Sequence, residues 1–315
     1  CASLEMIRVA NNAIEALPEG LLRHPKLAWL AVGGNPCAAA AAAAAAAGRE
    51  ESGTSQRLGP VVDWSEVAID AGTELGAGTS GAVVACAWRG RPGALKMWPT
   101  GGTFSDGSAS DEWRLNRAVG SHPALVAPIA FVAPPSAPGL GIVMERLANA
   151  KPLGPPPTFA TVTRDGPVVD AATHAFDAAE GVEFVASVAR AVCSALRYLH
   201  EERGIVHGDV YAHNVLVSEG GVVKLGDLGA AANYARGGGN HVEKCEARAF
   251  GWLLDDMLRW AGASSGSATA GEGGDDSVWR PYIDLVALAT AEDVDAVPTF
   301  HEIEKRLNRA SQPSL

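Results

Sequence analysis

Asp209, Asn214 and Asp227 fall within 19 residues, and the chain between them fixes how they can be presented. Val215-Leu216-Val217 and Val222-Val223-Lys224-Leu225 are rich in β-branched residues and are joined by Ser218-Glu219-Gly220-Gly221, a pattern that predicts a β-hairpin with a glycine turn. The flanking loops, His207-Gly208-Asp209-Val210-Tyr211-Ala212-His213-Asn214 and Gly226-Asp227-Leu228-Gly229, then deliver two carboxylates and an amide to one end of a rigid ribbon. Such oxygens suit a hard cation like Mg2+, which keeps several waters and binds phosphate oxygens. Taken singly, each of these residues is equally at home as a turn former.

Upstream, Leu75-Gly76-Ala77-Gly78-Thr79-Ser80-Gly81-Ala82-Val83 reads G-x-G-x-x-G-x-V and runs into a strand-like Val83 to Trp88. Gly76, Gly78 and Gly81 let backbone amides approach phosphate oxygens without a side chain in the way. No helical pattern follows the third glycine, which argues against a dinucleotide-binding Rossmann turn. A second strand, Gly93-Ala94-Leu95-Lys96-Met97-Trp98, places Lys96 15 residues after Gly81. Ser110-Asp111-Glu112 reads as the capped, acidic start of an amphipathic helix running to Val119. Leu125 to Val132 and Gly141 to Leu147 read as strands, with Pro128 confined to a strand start or exposed edge. Residues 148–181 read as a long connection, with Arg164-Asp165-Gly166 a turn. Val185, Val188, Ala189, Val192, Leu196 and Leu199 mark one face of a long helix, with Gly204 as its C-terminal stop.

The order of these features, from glycine loop through Lys96, Glu112 and the strand at Met144 to His-Gly-Asp, Asn214 and Asp-Leu-Gly, resembles the protein-kinase superfamily. The resemblance covers about residues 64 to 310. It implies an α+β, two-lobed fold, β-rich to about residue 147 and mostly helical after it, that uses ATP and Mg2+. By the same resemblance Asp209 would orient the acceptor hydroxyl, Asn214 and Asp227 would hold Mg2+, and Lys96, backed by Glu112, would fix the ATP phosphates. Val83, Ala94 and Leu216 would contact adenine, Met144 would be the gatekeeper, and the backbone of Glu145 and Leu147 would bond the base. The interval from Glu112 to His122 is one residue longer than the pattern expects. Residues 242–254 resemble the family's central buried helix, with Glu246 in the place of its Asp, and residues 283–289 and 299–307 resemble its last two helices.

Four departures qualify the resemblance. Gly208 replaces the Arg that ordinarily binds a phosphorylated activation loop, which argues against loop phosphorylation as a switch. Only 19 positions separate Asp227 from Glu246, and no Ala-Pro-Glu follows. Val297 stands where the family has the Arg that pairs with that missing Glu; losing both avoids a buried unpaired charge. Tyr211 stands where the family has Lys or Ala. The implied activity is ATP-dependent phosphorylation of a protein hydroxyl, serine or threonine before tyrosine. A small-molecule kinase of the aminoglycoside or choline type, and a nucleotide-binding pseudokinase acting as an interaction module, are the alternatives.

Residues 1–36 carry a repeat: Leu4, Ile7, Val9 and Asn12 recur as Leu27, Leu30, Val32 and Asn35, each displaced by 23. This resembles the leucine-rich repeat. About one and a half such units cannot bury a core, so the segment is expected to end a longer solenoid that recruits a protein substrate. Residues 37–62, opening on Ala38 to Ala47, read as a frayed helix or linker with no second face to bury, ahead of a kinase-like domain over 63–310.

A formal net charge of -11 excludes a nucleic-acid surface by default. No run of about 18 apolar residues suggests a membrane span. Five scattered cysteines without ligand spacing fit a reduced, cytoplasmic setting.

Overall fold

The computed structural model describes residues 1–51, 59–78, 81–98, 106–133, 139–164, 181–234, 241–263 and 276–311. The chain opens with β1 (Met6–Arg8), α1 (Glu19–Leu22), β2 (Trp29–Ala31) and α2 (Pro36–Glu51). β1 and β2 pair in parallel with Met6 opposite Trp29, the same offset of 23 that separates the repeated residues. Asn35 ties the two turns together: its amide donates to Val9 O at 2.8 Å and Val32 O at 2.9 Å, and its Oδ1 accepts the Ile14 N–H at 3.1 Å.

Six strands form the next layer: β3 (Val61–Val62), β4 (Val67–Gly78), β5 (Gly81–Trp88) and β6 (Arg91–Met97), then, after α3 (Ala109–Val119), β7 (Pro128–Val132) and β8 (Gly141–Glu145). Their order is β3-β7-β8-β6-β5-β4. Val84, Cys86, Leu95, Ala130, Val132 and Val143 fill one face, and Trp98, Phe131 and Ile142 the side towards α3. The α3 cap is Ser108, whose hydroxyl accepts from Asp111 N, rather than Ser110 or Asp111 as expected. Three residues with capping side chains stand close together here, and backbone geometry selects the first.

The second lobe contains β9 (Lys151–Pro152), α4 (Gly181–Arg197), β10 (Ile205–Val206), β11 (Val215–Val217), β12 (Val223–Leu225), β13 (Ala232–Asn233), α5 (His241–Trp260), α6 (Arg280–Ala289) and α7 (Phe300–Ala310). α4 continues as a π-helical turn, Tyr198–Arg203, and stops at Gly204 in the left-handed conformation. The Tyr198 hydroxyl donates to Val119 O at 2.7 Å, fastening the C-terminal end of α3 to this turn. Arg164, expected as a turn residue, reaches across to Asp255 and Asp256 and stacks on Trp252; Asp165 and Gly166, the expected loops within 166–180 and 264–275, and the 236–240 stretch lie outside the described residues.

Residues 1–51 depart most from expectation. Ala28 and Trp29 belong to the same core as Leu196, Phe250 and Leu254, while Leu30, Val32 and Ala38 pack with Val206, Ala232, Tyr234 and Val242. The β2 side of the repeat segment thus buries its apolar residues on the helical lobe. The alanine run is helical, and Ala38 and Ala41 are buried: methyl groups suffice where α2 lies close against β13. Arg248 on α5 is fully buried and donates to Leu27 O at 2.7 Å and Ala291 O at 3.0 Å. Among the described residues no helix is long and apolar enough to cross a membrane.

Candidate active site

The two lobes meet at Lys96. Its Nζ lies 2.6 Å from Glu112 Oε1 and 2.9 Å from Asp227 Oδ1, so one cation joins β6, α3 and the Asp-Leu-Gly turn. Trp98 Nε1 donates to the other Glu112 oxygen at 3.1 Å. Burial alone would lower the Lys96 pKa, but Asp227 and Glu112 outweigh it and hold the ammonium well above its ordinary value. The Asp227 carboxyl, which burial would raise, is held below its usual range by Lys96 and the Gly229 N–H. Burial pushes Glu112 upward against the pull of Lys96. Asp227 also sits at φ 52°, a left-handed conformation costing a non-glycine residue about 1 kcal/mol. The Gly229 N–H, bonded to Asp227 Oδ1 at 3.0 Å, helps to hold it there.

A second cluster surrounds Asp209. Asn214 Nδ2 donates to Asp209 Oδ2 at 2.9 Å and to its backbone carbonyl at 2.8 Å, which leaves Oδ1 of Asn214 as the amide's acceptor. Gly226 N donates to Asn214 O, and the His207 ring contacts Gly226 O, both at 2.8 Å. The hairpin β11–β12 therefore carries Asn214 and Asp227 side by side at its open end as one unit. Beneath it Glu246 on α5 accepts from Gly208 N at 2.7 Å and His207 N at 3.1 Å and contacts the His200 ring at 2.5 Å. Burial would raise the Glu246 carboxyl; these donors hold it below its usual range instead.

The remaining predicted residues lie on the six-stranded sheet, just beyond β8 and on the hairpin. Val83 pairs with Lys96 and Ala94 with Met144 across neighbouring strands, and Gly76 and Gly78 lie opposite Val83 and Gly81; Thr79 and Ser80 lie outside the described residues. A Cβ on Gly81 would meet Met97 O at 2.3 Å, so only glycine lets the loop lie this close to β6. Glu145 donates its N–H to Ala127 O, restricting backbone contact with a base to its carbonyl, and its side chain bonds Lys224 Nζ at 2.6 Å. Leu216 faces Lys224 in the hairpin register, and Leu147 is half-buried beyond β8.

The sequence reading missed Arg8. Its Nη2 lies 2.8 Å from Asp209 Oδ1, and its Nη1 bonds Asp106. Nothing local marks it: it sits between two core positions of the repeat, and its counterpart 23 residues on is Ala31. Trp29 is a second omission, stacked on Tyr211 at 4.6 Å with its Nε1 donating to Val210 O.

Gly208 has φ 80°, and a Cβ there would meet Ala230 O at 2.6 Å and Leu30 O at 3.0 Å. The missing arginine is thus explained by space: the Ala230 carbonyl and β2 stand where a side chain would go. Gly208→Ala should cost roughly 2 kcal/mol or more, combining left-handed strain with the two backbone contacts. Urea unfolding of the variant checks this; an unchanged midpoint would remove the explanation.

Residues 69–249, over half of the 315, match the protein kinase domain. The serine/threonine-protein kinase mos of Xenopus laevis is 29% identical over 181 residues, covering 56% of this chain and 45% of that protein. Protein kinase wis1 of Schizosaccharomyces pombe is 32% identical over 110 residues, 35% of this chain and 17% of its own. Serine/threonine-protein kinase TOS3 of Saccharomyces cerevisiae is 41% identical over 64 residues, 19% and 11% respectively. The chain spans less than half the length of these relatives. The sheet-and-helix architecture and the matched span lead to one conclusion: this chain belongs to the protein kinase domain family.

Proposed function

We propose that the chain catalyses ATP-dependent phosphoryl transfer to a serine or threonine hydroxyl of a protein, as a kinase with a His-Gly-Asp loop and a shortened activation segment. The observation that carries this is Lys96 bridging Glu112 and Asp227 at 2.6 and 2.9 Å, since catalysis of this transfer rests on positioning and charge neutralisation. Lys96 would hold the nucleotide phosphates, Asp209 would orient the acceptor hydroxyl, and Asn214 Oδ1 with the free Asp227 oxygen would hold Mg2+. One amide and one carboxylate oxygen fit a cation that completes its shell with water and phosphate. When bound, that ion neutralises charge on the phosphates. Met144, Ala94, Val83, Leu216 and the backbone at Glu145 and Leu147 would form the adenine slot under Gly76, Gly78 and Gly81.

Residues 1–36 we assign to the C-terminal remnant of a leucine-rich repeat, residues 37–62 to an Ala-rich linker, and residues 63–310 to the kinase domain. The relatives' names support the serine/threonine class, and free, buried Cys86, Cys193 and Cys245 fit a reducing, cytoplasmic setting. The test is incubation with γ-labelled ATP and Mg2+ in the presence of casein, and separately of an aminoglycoside or choline. Label on casein serine or threonine that falls in Asp209→Asn is expected. Label on the small molecules alone would transfer the assignment to a small-molecule kinase, and ATP binding without any transfer would leave only the pseudokinase.

A further inference from the structure

The Arg8 guanidinium spans two parts of the kinase domain that are far apart in sequence. Nη2 bonds the Asp209 carboxylate at 2.8 Å, and Nη1 bonds Asp106, two residues ahead of the Ser108 cap of α3. The tie is reinforced on both sides. Asn11 Nδ2 donates to Gly107 O at 2.8 Å. Gly33 lies beside Ala231 O and Asp106 O, each 3.6 Å from where a Cβ would stand, and Gly107 fits against Gly229 O with no room for a Cβ. The repeat segment therefore lies between the lead of α3, the turn after Asp227 and the catalytic loop. Arg8 is three-quarters shielded, its side chain 27% exposed. Burial would weaken its charge, but Asp209 and Asp106 more than restore it.

Asp209 is in this way fixed through both carboxylate oxygens, Oδ2 by Asn214 and Oδ1 by Arg8. A carboxylate has about four acceptor sites, so Oδ1 can hold Arg8 and still receive an acceptor hydroxyl. Meanwhile Lys96, Glu112 and Asp227 are already joined, the arrangement that phosphorylation of an activation loop otherwise secures. A cation beside the catalytic loop is here supplied from the N-terminal segment, in a chain whose Gly208 cannot carry one.

We propose that Arg8 is a positioning residue: by tying Asp209 to Asp106 it locks the acceptor-side carboxylate and the Glu112-bearing helix into one frame, without a phosphorylated loop. The inference rests on the phosphoryl-transfer reading above. Its chemistry needs two separate donor nitrogens in a rigid fork, which Arg has and Lys lacks.

The test uses the full chain as wild type, Arg8→Ala, Arg8→Lys, Asp106→Asn and the Arg8→Ala/Asp106→Asn double variant. Two quantities are read: labelled phosphate transfer from ATP and Mg2+ to casein, and amide hydrogen exchange over residues 108–119 and 207–214. Arg8→Ala should lower kcat about tenfold or more while KM for ATP stays within about twofold. Asp106→Asn should lower kcat less, the double variant no further than Arg8→Ala, and Arg8→Lys should recover only part. Exchange should quicken in both segments together in Arg8→Ala. Transfer equal to or faster than wild type would overturn the proposal, the faster case making Arg8 a plug on the acceptor site. Additive losses, or exchange that changes around 207–214 but not in 108–119, would overturn it too. If wild type transfers no phosphate, the functional reading fails and the exchange data alone decide the tie. If Arg8→Ala does not fold, Arg8→Lys and Asp106→Asn decide both readouts.

Discussion

A chain lacking residues 1–51 should fail to fold, although it contains the entire span that matches the protein kinase domain. Leu27, Trp29, Leu30 and Val32 are at most 3% exposed. Burying such side chains is worth roughly 1.5–3 kcal/mol each, so the four come to roughly 10 kcal/mol, the whole stability of a typical domain. Part of that burial lies within the segment, yet Trp29 shares the helical core and Leu30 covers Val206, Tyr234 and Val242. Removal also strips Arg248 of the Leu27 and His24 carbonyls that receive its Nη1, and a buried charge that loses its partners costs about 3–5 kcal/mol. Thermal unfolding followed by circular dichroism, with size-exclusion chromatography, compares 1–315 with 52–315. The shorter chain should aggregate without a cooperative transition; melting within a few degrees of the full chain would refute the claim that the segment is part of the lobe.

Lys96→Met should reduce phosphoryl transfer about 100- to 1000-fold, the scale of losing one preorganised charge in a closed site. It should also destabilise the protein, because Glu112, 4% exposed, then keeps, among the described residues, only Trp98 as a side-chain donor. Adding Glu112→Gln to that variant should restore stability, by about 3 kcal/mol, since a buried pair can be replaced by neutral groups far more cheaply than broken. Transfer should remain lost in the double variant. The sign with pH follows from Lys96 being held above its ordinary value, about 10.4. Its stabilising contribution is complete below that pH and disappears only as pH rises through the higher folded value, so a neutral-pH denaturation series measures it in full. A double variant no more stable than Lys96→Met would show that Glu112 is not the charge left stranded.

The catalytic-loop hairpin and the strand bearing Lys96 were legible because their chemistry is local: β-branched runs, glycine turns and fixed intervals specify them without reference to distant chain. The Lys96–Glu112 pair was reachable through the resemblance even though the interval from Glu112 to His122 is one residue longer than the pattern expects. The docking of residues 1–51 was not legible. A repeat signals that a face must be covered, not what covers it, and ten alanines carry no amphipathic pattern even though Ala38 and Ala41 are buried. Arg8 had no signal because its partners, Asp106 and Asp209, lie 98 and 201 residues away.

The Tyr198 hydroxyl on Val119 O acquires a pharmacological meaning beside the contacts at the other end of α3. A helix fastened at both termini should resist swinging, so conformers with Glu112 withdrawn from Lys96 are expected to form a small fraction of the ensemble. Compounds that select such a withdrawn state lose apparent affinity in proportion to that fraction, whereas compounds shaped to the closed cleft lose none. On the phosphoryl-transfer reading, inhibitor selectivity in this chain would then be set partly by a phenol in the π-helical turn that continues α4.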